Sequence, residues 1–315
     1  MNIVFLDENT VTLGDIDFSG LKQLGSYKGY DNSTEDQVIE RAKEADVVIA
    51  NKAPITARVI SELARLKLVT VVATGYNNVD TKAAKEKQLC VCNVPGYATK
   101  SVAQHTFALI LNFATRTCAY HNDVQQGKWQ QAESFNLLTY PTFDLAGKTI
   151  GIIGFGAIGR EVARIAEAFD MKVLAYDAFG IRDGAYPNTD LDTLLRQSDV
   201  VTLHCPLTNE NRKMINAEAI GKMKRNAILI NTARGPLIDE EALADALNTG
   251  RIAGAGVDVL SVEPPKGGNV LLEARNVIAT AHCAWSTVEA RQRLIDETVL
   301  NIKAFFEGRP RNVVV

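Results

Sequence analysis

Three side chains, far apart along the sequence, are of types that together can reduce a 2-keto acid. Arg234 follows an apolar run in Asn231-Thr-Ala-Arg234-Gly-Pro, Glu263 stands in Val262-Glu263-Pro-Pro, and His282 ends Ile278-Ala-Thr-Ala-His282. A guanidinium can grip a carboxylate through two parallel hydrogen bonds and polarise the adjacent carbonyl. An imidazole can give a proton to the carbonyl oxygen as hydride reaches carbon, or take it back in oxidation. A carboxylate beside the imidazole favours its charged form and fixes its tautomer. Taken singly, each has a plain alternative: a surface ion-pair partner, a turn acid before two prolines, a half-buried histidine. Their joint occurrence downstream of a nucleotide-type motif favours the chemical reading.

That motif is Gly154-Phe-Gly156-Ala-Ile-Gly159, after the apolar run Thr149-Ile-Gly-Ile-Ile. A lone Gly-x-Gly-x-x-Gly is weak evidence. Here it follows a strand pattern, opens an amphipathic helix, and is succeeded by a second strand pattern ending at Asp177, 18 residues after Gly159 and near the spacing of a dinucleotide site. Gly154 would permit the tight turn, Gly156 the approach of a pyrophosphate, and Gly159 close helix–strand packing. The loop residues Gly154, Phe155, Gly156, Ala157, Ile158 and Gly159 would offer N–H groups at a helix N-terminus, where the helix dipole favours phosphate. Asp177 would accept hydrogen bonds from the adenosine ribose and repel a 2′-phosphate. Ala178 and Phe179 follow it, with Arg182 the nearest cation. NAD is therefore expected over NADP.

To place these residues, the chain must supply strand ends. Continuous Val- and Ile-rich runs at 2–7, 46–51, 67–74, 89–94, 149–154, 172–177, 200–205, 227–233, 255–259 and 277–281 read as parallel strands covered on both faces. Helical patterns at 34–43, 56–65, 80–87, 158–169, 191–196 and 239–248 alternate with them, which makes an α/β fold. A long apolar helix is expected at 101–119, a polar stretch with aromatic residues at 121–144, and a last helix at 286–307. In a doubly wound sheet, ligands bind beyond the carboxyl ends of strands. Arg234, Glu263, His282, Asp258 and the Cys205-Pro206 turn all fall there. Asp46-Val-Val-Ile and Asp199-Val-Val-Thr echo each other, a hint that two units share a plan.

Composition agrees. A chain of 315 residues suggests about two domains. A net charge of −3, from 34 basic and 37 acidic residues, argues against a broad nucleic-acid surface. No apolar run is long enough for a membrane-spanning helix, and the first residues read as a strand and not as a signal peptide. The five cysteines, an odd number set mostly in apolar runs, suit free thiols in the cytoplasm. Cys90 and Cys92 alternate on a strand and point the same way, without further ligands nearby, so no metal is expected.

The order of the glycine motif, Asp177, Leu203-His-Cys-Pro-Leu-Thr, Asn231-Thr-Ala-Arg-Gly, Gly256-Val-Asp-Val, Glu263-Pro and His282 resembles the D-isomer-specific 2-hydroxyacid dehydrogenases over essentially the whole chain. The resemblance implies Arg234, Glu263 and His282 as the catalytic set. It implies two doubly wound parallel-sheet domains: a Rossmann NAD domain, residues 100–283, inserted into a flavodoxin-like substrate domain, residues 1–99 and 284–315. It also implies that Gly75 and Tyr76 bind the substrate carboxylate and that Thr106 meets the nicotinamide. His204, Cys205 and Pro206 would wall the adenine side, Thr232 and Ala233 would line the cofactor, and Asp258 would accept from the carboxamide. His105 reads as structural. The 101–119 helix and the stretch after it look like the family's dimerisation arm, which makes a homodimer the expected assembly.

Asn51-Lys-Ala-Pro-Ile-Thr56, Ala73-Thr-Gly-Tyr-Asn-Asn-Val-Asp80 and His282-Cys-Ala-Trp285 are similar to the glycerate dehydrogenases, which reduce hydroxypyruvate. Trp285 would then border the substrate. Cys283 stands where usual members have Ile or Val. The chain stops at Val315, and the absence of a further regulatory domain turns the reading away from long phosphoglycerate dehydrogenases. D-lactate and short D-3-phosphoglycerate dehydrogenases, or a non-catalytic NAD(H) sensor, are the alternatives.

Overall fold

The computed structural model describes residues 1–182 and 184–315. The chain divides into two compact units, residues 1–98 with 285–315, and residues 99–284.

The first unit holds the strands β1 (Asn2–Phe5), β2 (Ser26–Gly29), β3 (Val47–Ala50), β4 (Leu68–Val71) and β5 (Cys90–Cys92) in one parallel sheet, ordered β2-β1-β3-β4-β5. The unbroken apolar runs bury both faces. Val4, Val48 and Ala50 enter one core, whereas Ile3, Phe5, Val47 and Ile49 enter the other. Helix Val288–Phe306 seals the second face with Leu294, Ile295, Val299 and Ile302.

The second unit has six parallel strands, β6 (Thr149–Ile153), β7 (Lys172–Tyr176), β8 (Val200–Leu203), β9 (Ile228–Asn231), β10 (Gly254–Val257) and β11 (Val277–Ala279). Their order is β11-β10-β9-β8-β6-β7. Helix Ala157–Ala168 buries Gly159, Val162, Ala163 and Ala166 along one face, the three-and-four spacing of an amphipathic helix. It shares a core with Ala103, Phe107, Ile110 and Ala114 of helix Thr99–Thr115.

The paired aspartates of the sequence do the same work in each sheet. Asp46 Oδ2 accepts the Asn2 N–H at 2.8 Å, and Asp199 Oδ2 accepts the Thr149 N–H at 2.9 Å. Each carboxylate also meets a lysine that precedes the next strand, Lys67 at 3.0 Å and Lys224 at 2.9 Å. The first strand of either sheet is thus tied to the third through one side chain.

Several elements depart from expectation. β2 reads Ser-Tyr-Lys-Gly and is largely exposed at the sheet edge, so no apolar run marks it. Helix Ala217–Lys222 is not among the helical patterns read from the sequence. The helix expected at 101–119 breaks at Arg116, whose φ of +55° leaves helical space, and a second helix, Thr117–Gln125, continues beyond it.

Candidate active site

The glycine loop joins β6 to helix Ala157–Ala168. Gly154 has φ of +93°, the left-handed region that glycine enters without steric cost. Its N–H donates to Tyr176 O at 2.8 Å. A side chain at Gly154 would strike the His204–Cys205 backbone, and one at Gly159 would strike Gly154 O. Gly156, by contrast, has open space where its Cβ would be. Two glycines here are needed for packing, and the middle one keeps a surface clear for a ligand. Asp177, one residue beyond β7, accepts the Phe155 N–H at 2.9 Å on Oδ2 and the Phe179 N–H at 3.0 Å on Oδ1. Each oxygen keeps a lone pair for a further donor.

Beyond β8, His204 shares a 2.9 Å hydrogen bond between Nε2 and Thr202 Oγ1. Although the residue retains some exposed surface, its Nδ1 is enclosed and has no partner among the described residues. Burial pushes its pKa down to about 3, so the ring is neutral. Burial likewise pushes the Cys205 thiol up to about 11. Asn211 Nδ2 donates to Pro206 O at 2.7 Å and shapes the turn.

The turn after β9 is built by Asn231. Its Oδ1 accepts the Ala233 N–H at 3.0 Å and its Nδ2 donates to Arg234 O at 2.9 Å. Half-buried Arg234 leans on its own chain, Nη1 donating to Ala233 O at 2.6 Å. Thr232 Oγ1 lies 3.2 Å from the fully buried Thr106 Oγ1, joining helix Thr99–Thr115 to this turn.

The next two strand ends supply Asp258, Glu263 and His282. Glu263 Oε1 accepts the Leu260 N–H at 2.8 Å, and Oε2 stands 2.6 Å from His282 Nδ1. His282 itself has φ of +52°. Asp258 holds it there. The Asp258 carbonyl accepts the His282 N–H at 2.8 Å, Oδ1 accepts the Cys283 N–H at 2.9 Å, and Oδ2 accepts the Ala284 N–H at 2.9 Å. Asp258 is 2% exposed, so these bonds form out of water, where they are strongest. Glu240 braces the Glu263 loop by accepting the Ser261 N–H at 2.7 Å and an Asn269 Nδ2 hydrogen at 2.9 Å.

Arg234, Glu263 and His282 therefore leave three adjacent parallel strands, β9, β10 and β11, at the same end. Glu263 and His282 are in direct contact, and Gly235, next to Arg234, packs so tightly on Leu260 and Ser261 that a Cβ would overlap them.

The first unit presents its own strand ends. Buried Asp7 accepts the N–H groups of Asn51, Lys52 and Ala53 at 2.8, 2.5 and 2.8 Å. Asn78 Nδ2 donates to Ala53 O at 2.9 Å, which ties this loop to the turn carrying Gly75 and the exposed Tyr76. Trp285 is partly buried, edge-on to Tyr97 with ring centres 6.2 Å apart.

Comparison with known proteins decides the family. The model of the D-isomer specific 2-hydroxyacid dehydrogenase NAD-binding domain matches residues 107–284. The chain belongs to the D-isomer specific 2-hydroxyacid dehydrogenase family. It is 44% identical over 322 aligned positions to a hydroxypyruvate reductase of Blautia hydrogenotrophica, spanning 100% of this chain and 99% of that one. It is 45% identical to a glycerate dehydrogenase of Methylorubrum extorquens, spanning 99% and 98%. A D-lactate dehydrogenase of Aquifex aeolicus, solved with NAD and lactic acid, superposes with a TM-score of 0.83 at 33% identity over 98% and 96%. The protein is an NAD-dependent oxidoreductase of this family, and the open Gly156, the clear lone pairs of Asp177 and the helix N-terminus beyond them fit that cofactor.

Nothing in the sequence marks out the roles of Asn231 and Glu240. An amide just past a strand and an acid opening a helix are common, and only the folded loops show what they hold.

Proposed function

We propose that the protein reduces small 2-keto acids with NADH, hydroxypyruvate first and glyoxylate beside it, giving D-glycerate and glycolate. The observation that carries this reading is the 2.6 Å contact of His282 with Glu263, beside the strand end that bears Arg234. The two relatives at 44% and 45% identity, a hydroxypyruvate reductase and a glycerate dehydrogenase, favour hydroxypyruvate over other acids.

In this reading Arg234 of the second unit grips the substrate carboxylate, and the substrate-binding residues of the first unit are Gly75, Tyr76 and Trp285. NAD, when bound, supplies or accepts the hydride. Glu263 meets His282 at Nδ1 and orients the ring, and the imidazole gives the carbonyl oxygen its proton in reduction and removes it in oxidation. Residues 154–159 hold the pyrophosphate, Asp177 the adenosine ribose, and His204, Cys205 and Pro206 the adenine side. Thr106, Thr232, Ala233 and Asp258 border the nicotinamide. Residues 100–283 act as the NAD domain, and residues 1–99 with 284–315 as the substrate domain.

The assembly is a homodimer in this reading. Phe135 and Leu138 are 87% and 86% exposed, next to a hollow of about 370 Å³ lined by Tyr120, Val124, Trp129, Phe135, Asn136 and Leu137. So much apolar surface is costly to leave in water. The free thiols suit the cytoplasm.

Steady-state rates of NADH oxidation with hydroxypyruvate, glyoxylate, pyruvate and 3-phosphohydroxypyruvate test the assignment. The highest kcat/KM belongs to hydroxypyruvate. A higher value for pyruvate or for the phosphorylated acid would move the protein to a different branch of the family.

A further inference from the structure

One cluster in the second unit shares Asp258 with the mechanism above and adds two side chains, His105 and Cys283, that the mechanism does not use. His105 Nε2, Asp258 Oδ1 and Cys283 Sγ lie within 4.8 Å of one another. Nε2 is 3.6 Å from Oδ1, and Sγ is 3.6 Å from the same oxygen. Bonds of about 2.0–2.3 Å in a tetrahedral zinc site set ligand atoms roughly 3.3–3.8 Å apart. Two of the three edges already have that length. One nitrogen, one hard oxygen and one sulfur make a ligand set that zinc accepts and that magnesium or calcium does not. The three groups come from helix Thr99–Thr115, the end of β10 and the turn after β11, and Cys283 is exposed enough to admit an ion.

We propose that His105, Asp258 and Cys283 form an inhibitory site for Zn²⁺, its fourth position filled by water. Binding replaces the thiol proton of Cys283, which passes to solvent. The Thr280 hydroxyl, now 3.0 Å from His105 Nε2 and donating to Asp258 Oδ1 at 2.5 Å, must turn aside. The same Asp258 oxygen accepts the Cys283 N–H, so the ion pulls on the turn that keeps His282 in its left-handed conformation. Loss of activity follows from displacement of that turn. The inhibition rests on the dehydrogenase reading, whereas the binding does not.

The test separates them. Purified, tag-free protein is titrated with Co²⁺, whose bond to a thiolate gives a near-ultraviolet charge-transfer band, and its oxidation of NADH with hydroxypyruvate is followed against added zinc sulfate. The wild type shows the band at one equivalent and is inhibited by zinc. Cys283→Val, which removes the sulfur and is only slightly larger, loses the band, retains turnover, and requires at least about tenfold more zinc for the same inhibition, since losing even an outer partner of a metal site costs about 10–100-fold in affinity. This variant also excludes the Cys90–Cys92 pair, whose sulfurs are 3.9 Å apart, as the source of the band. If Cys283→Val does not fold, His105→Asn serves, weakening the band by lowering cobalt affinity. A band that survives Cys283→Val, or that keeps the wild-type cobalt affinity in His105→Asn, or its absence from the wild type, overturns the site. A normal band with no inhibition by zinc overturns the inhibitory role. A normal band in a protein that turns over no 2-keto acid overturns the dehydrogenase reading and leaves the metal site standing.

Discussion

His282 Nδ1 stands 2.6 Å from Glu263 Oε2, a contact between two loops that leave neighbouring strands of one sheet. The pair fixes the orientation of the ring through its Nδ1. Replacing His282 by Ala lowers kcat by about 10²–10⁴-fold, the usual worth of a positioned proton donor. Glu263→Gln, which can still meet Nδ1 but carries no charge, loses less. Stopped-flow measurement of a single turnover reads both, and an unchanged rate in His282→Ala removes the histidine from the chemistry.

Arg234→Lys keeps the charge but gives up the planar fork. It raises KM for the keto acid and lowers kcat/KM by about a hundredfold, the scale of one lost transition-state donor. The affinity for NADH, measured by fluorescence titration without substrate, stays within error. A parallel loss of NADH affinity would assign Arg234 to the cofactor instead.

Gly154→Ala forces a side chain into the His204–Cys205 backbone at a φ of +93°. The left-handed conformation alone costs a non-glycine residue about 1–3 kcal/mol, and the overlap adds to it. The variant melts earlier and binds NADH poorly. Gly156→Ala, where space is open, melts like the wild type yet also loses cofactor affinity. Equal melting of the two variants would contradict the packing role assigned to Gly154.

Asp177→Ala removes the carboxylate that would oppose a 2′-phosphate. The ratio of kcat/KM for NADH over NADPH falls toward unity, mainly by loss with NADH. If the substitution leaves that ratio where it was, Asp177 does not discriminate between the cofactors.

His204 links stability to pH. Its pKa in the fold is about 3, against about 6.5 in an unfolded chain. Below about 6.5 the unfolded chain binds a proton that the folded one refuses, so stability falls as pH drops toward 3 and is unaffected by this group above 6.5. His204→Gln shows a shallower loss of melting temperature between pH 6.5 and pH 4. Coincident slopes for variant and wild type would show that His204 is not the group responsible.

Much of the candidate site is legible because its residues carry local signals. The Gly154–Gly159 spacing, the acid closing β7 and the polar residues past apolar runs each follow from a few neighbouring positions. So did the Asp46 and Asp199 echo, which proved to be one staple used twice. What stayed hidden depends on partners distant in sequence. β2 has one neighbour strand and little buried surface, so its residues need not be apolar. Arg116 leaves helical space without glycine or proline to announce it. The left-handed turn at His282 follows from three bonds to Asp258, 24 residues earlier in the chain.

The first unit is assembled from both ends of the chain. Val91 exchanges backbone hydrogen bonds with Val314 and Val315, and Asn301 Nδ2 donates to Asn93 O at 2.9 Å. On the ribosome, residues 99–284 emerge with every strand of their own sheet, while the earlier segment still waits for the helix that covers Leu68 and Val72. The nucleotide-binding half can therefore mature first, and its partner must keep an apolar sheet face from aggregating until helix Val288–Phe306 has emerged. Chaperone dependence should concentrate in that interval.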